Sequence, residues 1–402
     1  MKDIASKSIR ALLLLVATIV TLEIALQLGF IHLPDILVSL MPQYHARIGW
    51  QLNTEHGARE YPAWQVVEYD VTPLTGDLFT LSCLEPRDAQ PIDNYKVSFR
   101  RDGHGFRNAE PWPDDVDTVV IGDSFTDAEL IQRPFWQGIS DTVLALGMRG
   151  SGTLEQQQLF EAYGLPRSPE TLVVAFFAGN DLRDNESAAS MIRNRLTWYD
   201  RYIQDSEPHE FLVVLRTLHW IVELTLPNKE IWCHYPYFTI TDPPAPIAFY
   251  HKFVRRIGED AASIMQREGL TLTRSSLSEM NTTLQAIDGE LVLMYIPSKP
   301  ELYWKYLDAH TKRRIIDHES RRFDNMPQVS DIDENVSDQR DLMRGLAEEL
   351  GISFLDLTPT LDEAIRAGQS PYFFADTHWN QQGHNIARNA LLDFLNRSNL
   401  EK

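Results

Sequence analysis

Five short apolar runs recur along the chain from residue 118 onward, each four to six residues long. Each run ends in a turn, and most of its residues are apolar, without regular alternation of apolar and polar positions. Uninterrupted runs of this length are typical of strands buried on both faces of a parallel sheet. The runs are Thr118–Ile121, Thr142–Leu146, Leu172–Phe177, Leu291–Ile296 and Ile352–Leu357.

Stretches with helical spacing of apolar residues separate or follow these runs. They are predicted at Leu154–Tyr163, at Val336–Leu350 and from about Gln381 to Leu395. Strand, helix and strand in repeated order predict an α/β fold with an open, doubly wound parallel sheet of five strands. Residues 116–181 and 289–402 would form this domain.

Two further segments flank or interrupt the predicted sheet. Residues 32–115 are rich in Pro, Gly, Asp and aromatic residues, and they indicate an irregular lead-in with short strands such as Tyr95–Phe99. Residues 182–288 are too many for one crossover between strands. We predict a helical cap insertion there, with helices near Glu210–Leu226 and Phe249–Ile264.

The N-terminus carries a candidate membrane anchor. Ala11–Ile31 is a 21-residue run with Glu23 as its only ionisable side chain, and Lys2, Lys7 and Arg10 precede it. This pattern predicts one transmembrane helix, with residues 1–10 in the cytoplasm and the remainder outside it. A cleaved signal peptide is the alternative. Glu23 is either protonated or snorkelling, or it contacts another membrane protein.

Charge and cysteine content exclude several classes of function. The formal net charge of −20 repels nucleic acid, and no Lys/Arg cluster offsets it. The two cysteines, Cys83 and Cys233, lie in no zinc-binding motif, so we predict no metal site and no cofactor. Whether they form a disulfide is left open.

Glycine and polar residues follow the predicted strands, and one further polar group lies near the C-terminus. They are Gly122-Asp123-Ser124-Phe125-Thr126, Gly147-Met148-Arg149-Gly150-Ser151-Gly152, Ala178-Gly179-Asn180-Asp181 and Asp376-Thr377-His378-Trp379-Asn380. Ligands of such sheets bind beyond the carboxyl ends of the strands. A serine hydroxyl becomes a nucleophile when a neutral imidazole removes its proton. The four blocks contain both groups, Ser124 and His378.

In these four blocks and their order, the chain resembles the SGNH/GDSL hydrolase superfamily over Val116–Asp181 and Gly289–Leu395. The resemblance implies a flavodoxin-like sheet, the SGNH hydrolase fold. It also implies site residues: Ser124 as nucleophile, His378 as base and Asp376 as the group that orients the imidazole. The oxyanion donors would be the backbone N–H groups of Ser124 and Gly150 and the side-chain amide of Asn180.

The chain departs from the superfamily pattern in three places. The terminal motif is Asp-x-His where Asp-x-x-His is usual, which questions Asp376 more than His378. Ala145 replaces a frequent Asn of the second block, and Gly179 directly precedes Asn180, which makes the third block one residue shorter.

Each residue also has a simpler interpretation. Ser124 could be a helix N-cap, Asn180 and Asp181 turn residues, and His378 with Asp376 a surface pair. Two other residues are candidates for substrate binding. Lys299 could bind an anionic group of the substrate or be solvated, and Trp379 could stack on a sugar or pack over the following helix.

The leading functional hypothesis is a serine-dependent hydrolase that removes O-acyl groups, with acetyl as the expected group, from an envelope or secreted glycan. The chemistry comes from the residues, whereas the glycan, the acetyl group and a periplasmic location at the inner membrane follow from the resemblance alone. An O-acetyltransferase with the same acyl-enzyme is one alternative. An inactive SGNH-like glycan-binding or scaffold subunit is another.

Overall fold

Five parallel strands form the central sheet of the computed structural model. They are β1 (Thr118–Gly122), β2 (Val143–Gly147), β3 (Thr171–Phe177), β4 (Glu290–Ile296) and β5 (Ser353–Asp356). Their order in the sheet is β2-β1-β3-β4-β5, and all neighbours are parallel. Both the α/β class and the five-stranded parallel sheet predicted from the sequence are confirmed, and each strand begins and ends within two residues of its apolar run.

The structure describes Leu14, Thr75 and residues 17–22, 51–52, 57–72, 94–194, 237–241, 244–320 and 325–400. By its contacts, the chain divides into two units, Met1–Gly49 with Ser190–Trp232 and Trp50–Ala189 with Cys233–Lys402. The sheet and the candidate site belong to the second unit.

Twelve α-helices with defined bounds accompany the strands in the described residues. They are α1 (Ser124–Asp127), α2 (Thr153–Leu159), α3 (Asp181–Asn194), α4 (His251–Arg256), α5 (Ala261–Met265), α6 (Glu268–Gln285), α7 (Lys299–Tyr303), α8 (Ala309–Glu319), α9 (Val329–Asn335), α10 (Asp338–Leu350), α11 (Thr358–Arg366) and α12 (Gln381–Leu400). A π-helical turn, Phe160–Gly164, continues α2, and 3-10 turns span Leu165–Arg167 and Trp304–Tyr306.

The side chains of the strands alternate between two apolar layers, one on each face of the sheet. On β1, Val119 and Ile121 enter the layer that holds α2, α6 and α10, whereas Val120 enters the layer that holds α11 and α12. A strand buried on both faces carries few polar positions. This is why β1 to β4 appear in the sequence as apolar runs, whereas the less buried β5 contains Ser353 and Asp356.

Short antiparallel pairs lie outside the main sheet. Val66–Val71 pairs with Tyr95–Arg100 in the lead-in, where the sequence predicts a strand at Tyr95–Phe99. The other pairs are Gln51–Leu52 with Arg59–Glu60, and Tyr237–Thr241 with Pro244–Ala248. The hairpin of Val66–Val71 and Tyr95–Arg100 contributes Val71 and Val97 to a small apolar cluster with Phe373.

Helix α6 lies within the stretch 182–288 that the sequence predicts as a cap, yet it packs on the sheet. Its Leu277, Met280 and Leu284 are buried in the same apolar layer as β3 and β4. This helix therefore serves as the crossover helix that leads into β4. The predicted helix at Glu210–Leu226 lies outside the described residues.

Of the predicted anchor 11–31, the structure describes Leu14 and residues 17–22, which are helical. The remainder of that segment, Glu23 included, lies outside the described residues, as do both cysteines. No helix in the part of the chain that the structure describes has the length and apolar character needed to cross a membrane.

Candidate active site

Ser124 lies at the carboxyl end of β1, the strand between β2 and β3, where the chain turns sharply from β1 into α1. The side chain of Asp123 caps this turn and accepts a hydrogen bond from the backbone N–H of Phe125 at 3.0 Å. A Cβ atom on Gly122 would lie 2.3 Å from Oγ1 of Thr126, so the turn requires glycine there. The sequence thus builds an abrupt strand-to-helix turn that presents the Ser124 hydroxyl at the edge of the sheet.

The loop between α11 and α12 brings His378 to this serine. Oγ of Ser124 lies 2.7 Å from Nε2 of His378. Oδ1 of Asp376 contacts Nδ1 of the same ring and also accepts the backbone N–H of His378 at 2.8 Å. The side chain of Asp376 is buried, whereas that of His378 is 23% exposed. In this arrangement a serine, an imidazole and a carboxylate can act as nucleophile, base and orienting group, and the imidazole is accessible to a substrate.

Lys299 anchors the loop that carries His378 and does not face a ligand. Its Nζ donates to the carbonyls of Phe373, Phe374 and Asp376 at 2.9, 2.8 and 3.0 Å. Lys299 comes three residues after the end of β4, and only 1% of its surface is exposed. An ammonium has three N–H donors, and at least three backbone carbonyls accept from this one. Both interpretations drawn from the sequence, a substrate contact and a solvated lysine, are therefore wrong.

Trp379 is also unavailable to a substrate. The residue has no exposed surface, and its ring packs edge-on against Phe125 at 4.9 Å between centroids and against His384 at 5.5 Å. Of the two interpretations drawn from the sequence, packing is confirmed and stacking on a sugar is wrong. Trp379 instead supports the ring of Phe125, which in turn lies 5.0 Å from that of His378.

The two other predicted oxyanion donors follow the strands on either side of β1. Gly150 lies beyond β2 and has a φ of +63°, a conformation that favours glycine. Asn180 lies beyond β3, directly before α3, and its Nδ2 donates to Oδ2 of Asp184 at 2.7 Å. Because β1 lies between β2 and β3, Gly150 and Asn180 flank Ser124 at the same edge of the sheet.

Buried carboxylates surround the serine turn. Burial raises the pKa of Asp123 to about 6, despite the opposing hydrogen bond from Phe125 and the charge of His378. Oδ2 of Asp123 also accepts from Oγ of Ser124 at 3.3 Å, a longer contact than the one to His378. Burial, with the charges of Asp123 and Asp184, raises the pKa of Asp181 well above its usual value. Asp181 accepts the N–H of Phe177 at 3.1 Å, a structural role.

Several residues of the site have no assigned role in the sequence prediction. They are Asp123, Asp184 and Arg59, which holds the loop of Gly150. For one of them, the sequence contains a signal that could have indicated its role. Asp184 follows Asn180 by four residues at the start of a helix, and side chains at this spacing meet on one helix face. Among the described residues, no group of three His, Cys, Asp or Glu side chains is arranged to hold a metal ion.

Residues 258–402 match the model of a protein family described as "SGNH hydrolase-like domain, acetyltransferase AlgX". The matched region contains Asp376 and His378, whereas Ser124, Gly150 and Asn180 precede it. The match confirms the resemblance to the SGNH superfamily that the motifs indicate. No curated protein matches the chain.

Two solved structures similar to the chain are an acetyl xylan esterase, AlAXEase, and a GDSL-like lipase from Bacteroides thetaiotaomicron. The esterase is 11% identical, the alignment covers 69% of this chain and 99% of the esterase, and the TM-score is 0.32. The lipase is 11% identical, with 72% and 93% covered and a TM-score of 0.32. At TM-scores this low, neither likeness carries a conclusion about function.

Proposed function

We propose that this chain, whose residues 258–402 match an SGNH hydrolase-like family, is a serine-dependent hydrolase of O-acyl esters, most importantly acetyl esters, on a glycan. The observation that carries the proposal is the 2.7 Å contact between Oγ of Ser124 and Nε2 of His378, with Asp376 on the opposite ring nitrogen. The glycan rests on the resemblance to anchored, extracytoplasmic members of the superfamily.

In the acylation step, His378 removes the proton from Ser124 through Nε2 while Oγ attacks the ester carbonyl. Asp376 keeps the remaining N–H on Nδ1 and stabilises the imidazolium that forms. The tetrahedral intermediate then collapses, the C–O bond to the sugar breaks, and His378 returns its proton to the leaving alcohol. The acyl group remains on Ser124 as an ester.

The attack places negative charge on the former carbonyl oxygen, which requires fixed donors. The N–H groups of Ser124 and Gly150 and the amide of Asn180 would supply them. Each such donor lowers the barrier by about 2.7–4 kcal/mol in enzymes where one has been removed. Since the loops of Gly150 and Asn180 flank Ser124, the sheet topology supports this assignment.

Acyl transfer is the second candidate, and the description of the matched family as an acetyltransferase favours it. Hydrolysis and transfer share the acyl-enzyme. In hydrolysis, water gives a proton to His378 and attacks the acyl carbonyl, whereas in transfer a sugar hydroxyl does so. In both, the bond from the acyl carbon to Oγ of Ser124 then breaks, and His378 returns the proton to Oγ. The third candidate, an inactive binding subunit, would not need the serine–histidine contact described above.

One experiment separates the three candidates. The purified chain is incubated with p-nitrophenyl acetate or with an acetylated glycan, each with and without an unacetylated acceptor, and acetate and acetylated acceptor are quantified by mass. Free acetate at a rate that does not depend on acceptor supports hydrolysis, and acetylated acceptor supports transfer. No turnover of either donor, with folded protein and a reactive control esterase, contradicts both.

A further inference from the structure

We infer that Arg59 and Asp184 are positioning residues that hold Gly150 and Asn180, two of the three donors of the proposed oxyanion hole. The inference rests on the proposed function. It adds two residues that lie outside the four sequence blocks and outside the matched region 258–402.

Arg59 connects the lead-in segment to the loop beyond β2. Its Nη2 donates to the carbonyl of Gly150 at 2.8 Å. The same guanidinium binds both carboxylate oxygens of Glu155, with Nε–Oε1 at 2.9 Å and Nη2–Oε2 at 2.7 Å. The two side chains are only 10% and 8% exposed. Because Glu155 fixes the planar fork, the N–H that reaches Gly150 has a defined direction.

A fixed carbonyl matters at this position because Gly150 has no side chain to restrict its backbone. Its φ of +63° is one of several conformations that glycine adopts with similar ease. The carbonyl and the N–H of Gly150 are joined through its Cα, so tethering the carbonyl restricts the backbone rotations that would reorient this N–H. On the other side of this N–H, Arg149 donates from Nη1 to Glu129 at 2.8 Å, which restrains the preceding residue.

Asp184 determines which way the amide of Asn180 faces. Its carboxylate can only accept, so the amide must present Nδ2 to it, and the contact is 2.7 Å long. The reversed amide would bring Oδ1 against the carboxylate. One N–H of Nδ2 is thereby occupied, and the second remains for the oxyanion. The backbone N–H of Asp184 also donates to the carbonyl of Asn180 at 2.8 Å, which fixes their separation.

Asp184, which orients Asn180, also lies close to Gly150, which Arg59 holds. Oδ2 of Asp184 lies 3.8 Å from where a Cβ atom on Gly150 would be. The pKa of Arg59 is raised overall: burial lowers it, but the nearby carboxylates of Glu155 and, more weakly, Asp184 outweigh that effect. The lead-in segment is therefore part of the machinery that holds the oxyanion donors.

The test compares three variants of the full-length chain with the wild type. Arg59→Met is combined with Glu155→Met, because removal of both partners leaves no unpaired buried charge. In Asp184→Asn, residue 184 can accept or donate, so it no longer determines which way the side-chain amide of Asn180 faces. Arg59→Lys keeps the positive charge but loses the planar guanidinium that binds Glu155 and Gly150 together. The control is Arg344→Gln, which removes an ion pair with Asp341 and Asp356 near β5. Active sites are counted with a fluorophosphonate, so that every rate refers to reactive serines.

We expect kcat for p-nitrophenyl acetate to fall about 10- to 100-fold in the double variant and in Asp184→Asn, with KM changed by less than about threefold, because the misplaced donors act in the transition state. The Kd of a boronic acid, whose serine adduct places an oxygen among these donors, should rise by a similar factor. Arg59→Lys should recover part of the loss, and Arg344→Gln should equal the wild type.

A purely structural role would lower the yield of reactive sites or the melting temperature while kcat per site and the boronic acid Kd stay at wild-type values. That result overturns the inference and leaves the proposed function intact. A folded wild type that reacts neither with the fluorophosphonate nor with the ester overturns both.

Discussion

At the scale of single residues, the short Asp-x-His spacing has a structural explanation. Oδ1 of Asp376 accepts the backbone N–H of His378 at 2.8 Å and contacts Nδ1 of its ring. One carboxylate oxygen thus holds both the backbone and the imidazole of the residue two positions on. The shorter motif therefore retains a carboxylate on the imidazole, and Asp376 rather than a backbone carbonyl is the partner of His378.

This geometry predicts that Asp376→Asn keeps the fold and lowers kcat by up to about 10⁴, since an amide favours the wrong imidazole tautomer. His378→Ala should be at least as damaging. The double variant should be little worse than His378→Ala, because residues that act as one unit are not additive. Ester hydrolysis by the three variants, normalised to folded protein by circular dichroism, checks this. A rate for Asp376→Asn near that of the wild type would reduce the triad to a dyad.

Lys299 supports a second prediction at this scale. Lys299→Met leaves the carbonyls of Phe373, Phe374 and Asp376 without their donor. At about 1 kcal/mol or more for each, the free energy of unfolding should fall by about 3 kcal/mol or more. The activity should fall as well, because the loop that carries His378 loses its anchor. Urea unfolding followed by fluorescence, with ester hydrolysis below the transition, measures both effects.

The matched control is Lys305→Met, which removes an ammonium whose side chain is 50% exposed and which pairs with Asp362. It should change the free energy of unfolding by less than about 1 kcal/mol. Equal stability of Lys299→Met and the wild type would show that the three carbonyl contacts do not hold the loop.

The sequence indicates the proposed catalytic groups of the candidate site more readily than the groups that hold them. Ser124, His378 and Asn180 follow the ends of predicted strands or belong to a short motif, so local pattern is enough to find them. Lys299 and Arg59 act on backbone carbonyls of loops far away in sequence. Such contacts depend on tertiary placement, and a carbonyl acceptor has no residue type that a motif could show.

At the scale of elements, the strands could be predicted because burial on both faces leaves an unbroken apolar signal. Helix α6 shows why the sequence did not predict every element that packs on the sheet. Its buried positions, Leu277, Met280 and Leu284, are separated by Ser, Thr, Asn and Glu, so the apolar face is narrow. It also follows a stretch of about 85 residues with no predicted strand, which made an insertion the natural interpretation.

Glu301, beside the turn between β4 and α7, should make the free energy of unfolding depend on pH. Burial raises the pKa of Glu301, the capping-box residue of α7, from its ordinary value of 4.5 to about 8. Between these values, the unfolded chain releases the proton and the folded chain keeps it, so the free energy of unfolding falls as pH rises. Glu301→Gln mimics the protonated group: its amide can donate to the hydroxyl of Tyr295 and accept from the N–H of Ser298.

We expect wild type and Glu301→Gln to have similar stability near pH 5. At pH 8, the variant should be the more stable protein by an amount on the order of 1–3 kcal/mol, because a tenfold change in proton affinity between the folded and unfolded chains corresponds to about 1.4 kcal/mol. Urea denaturation at both pH values measures the difference. A constant difference between the two proteins across this range would mean that Glu301 is ionised in the fold.

At the scale of the whole molecule, we propose that residues 11–31 anchor the chain in an inner membrane, with the catalytic unit in the periplasm. The proposal is supported by the apolar run and by Lys2, Lys7 and Arg10 before it. Alkaline phosphatase fused after Lys402 should therefore be active. A stable but inactive fusion, with an active cytoplasmic reporter at the same position, would reverse the orientation. A membrane-protein partner at Glu23 remains a prediction of the same kind.

Fluorophosphonate labelling asks whether His378 activates Ser124 as a nucleophile. The wild-type chain should be labelled at a single peptide, the one that contains Ser124, as mass mapping can identify. Ser124→Ala should lose the label, and His378→Ala should react at least about 100-fold more slowly, since the base contributes about 10²–10⁴ to such reactions. A folded wild type that stays unlabelled while a control esterase reacts, or one labelled elsewhere, would contradict the account.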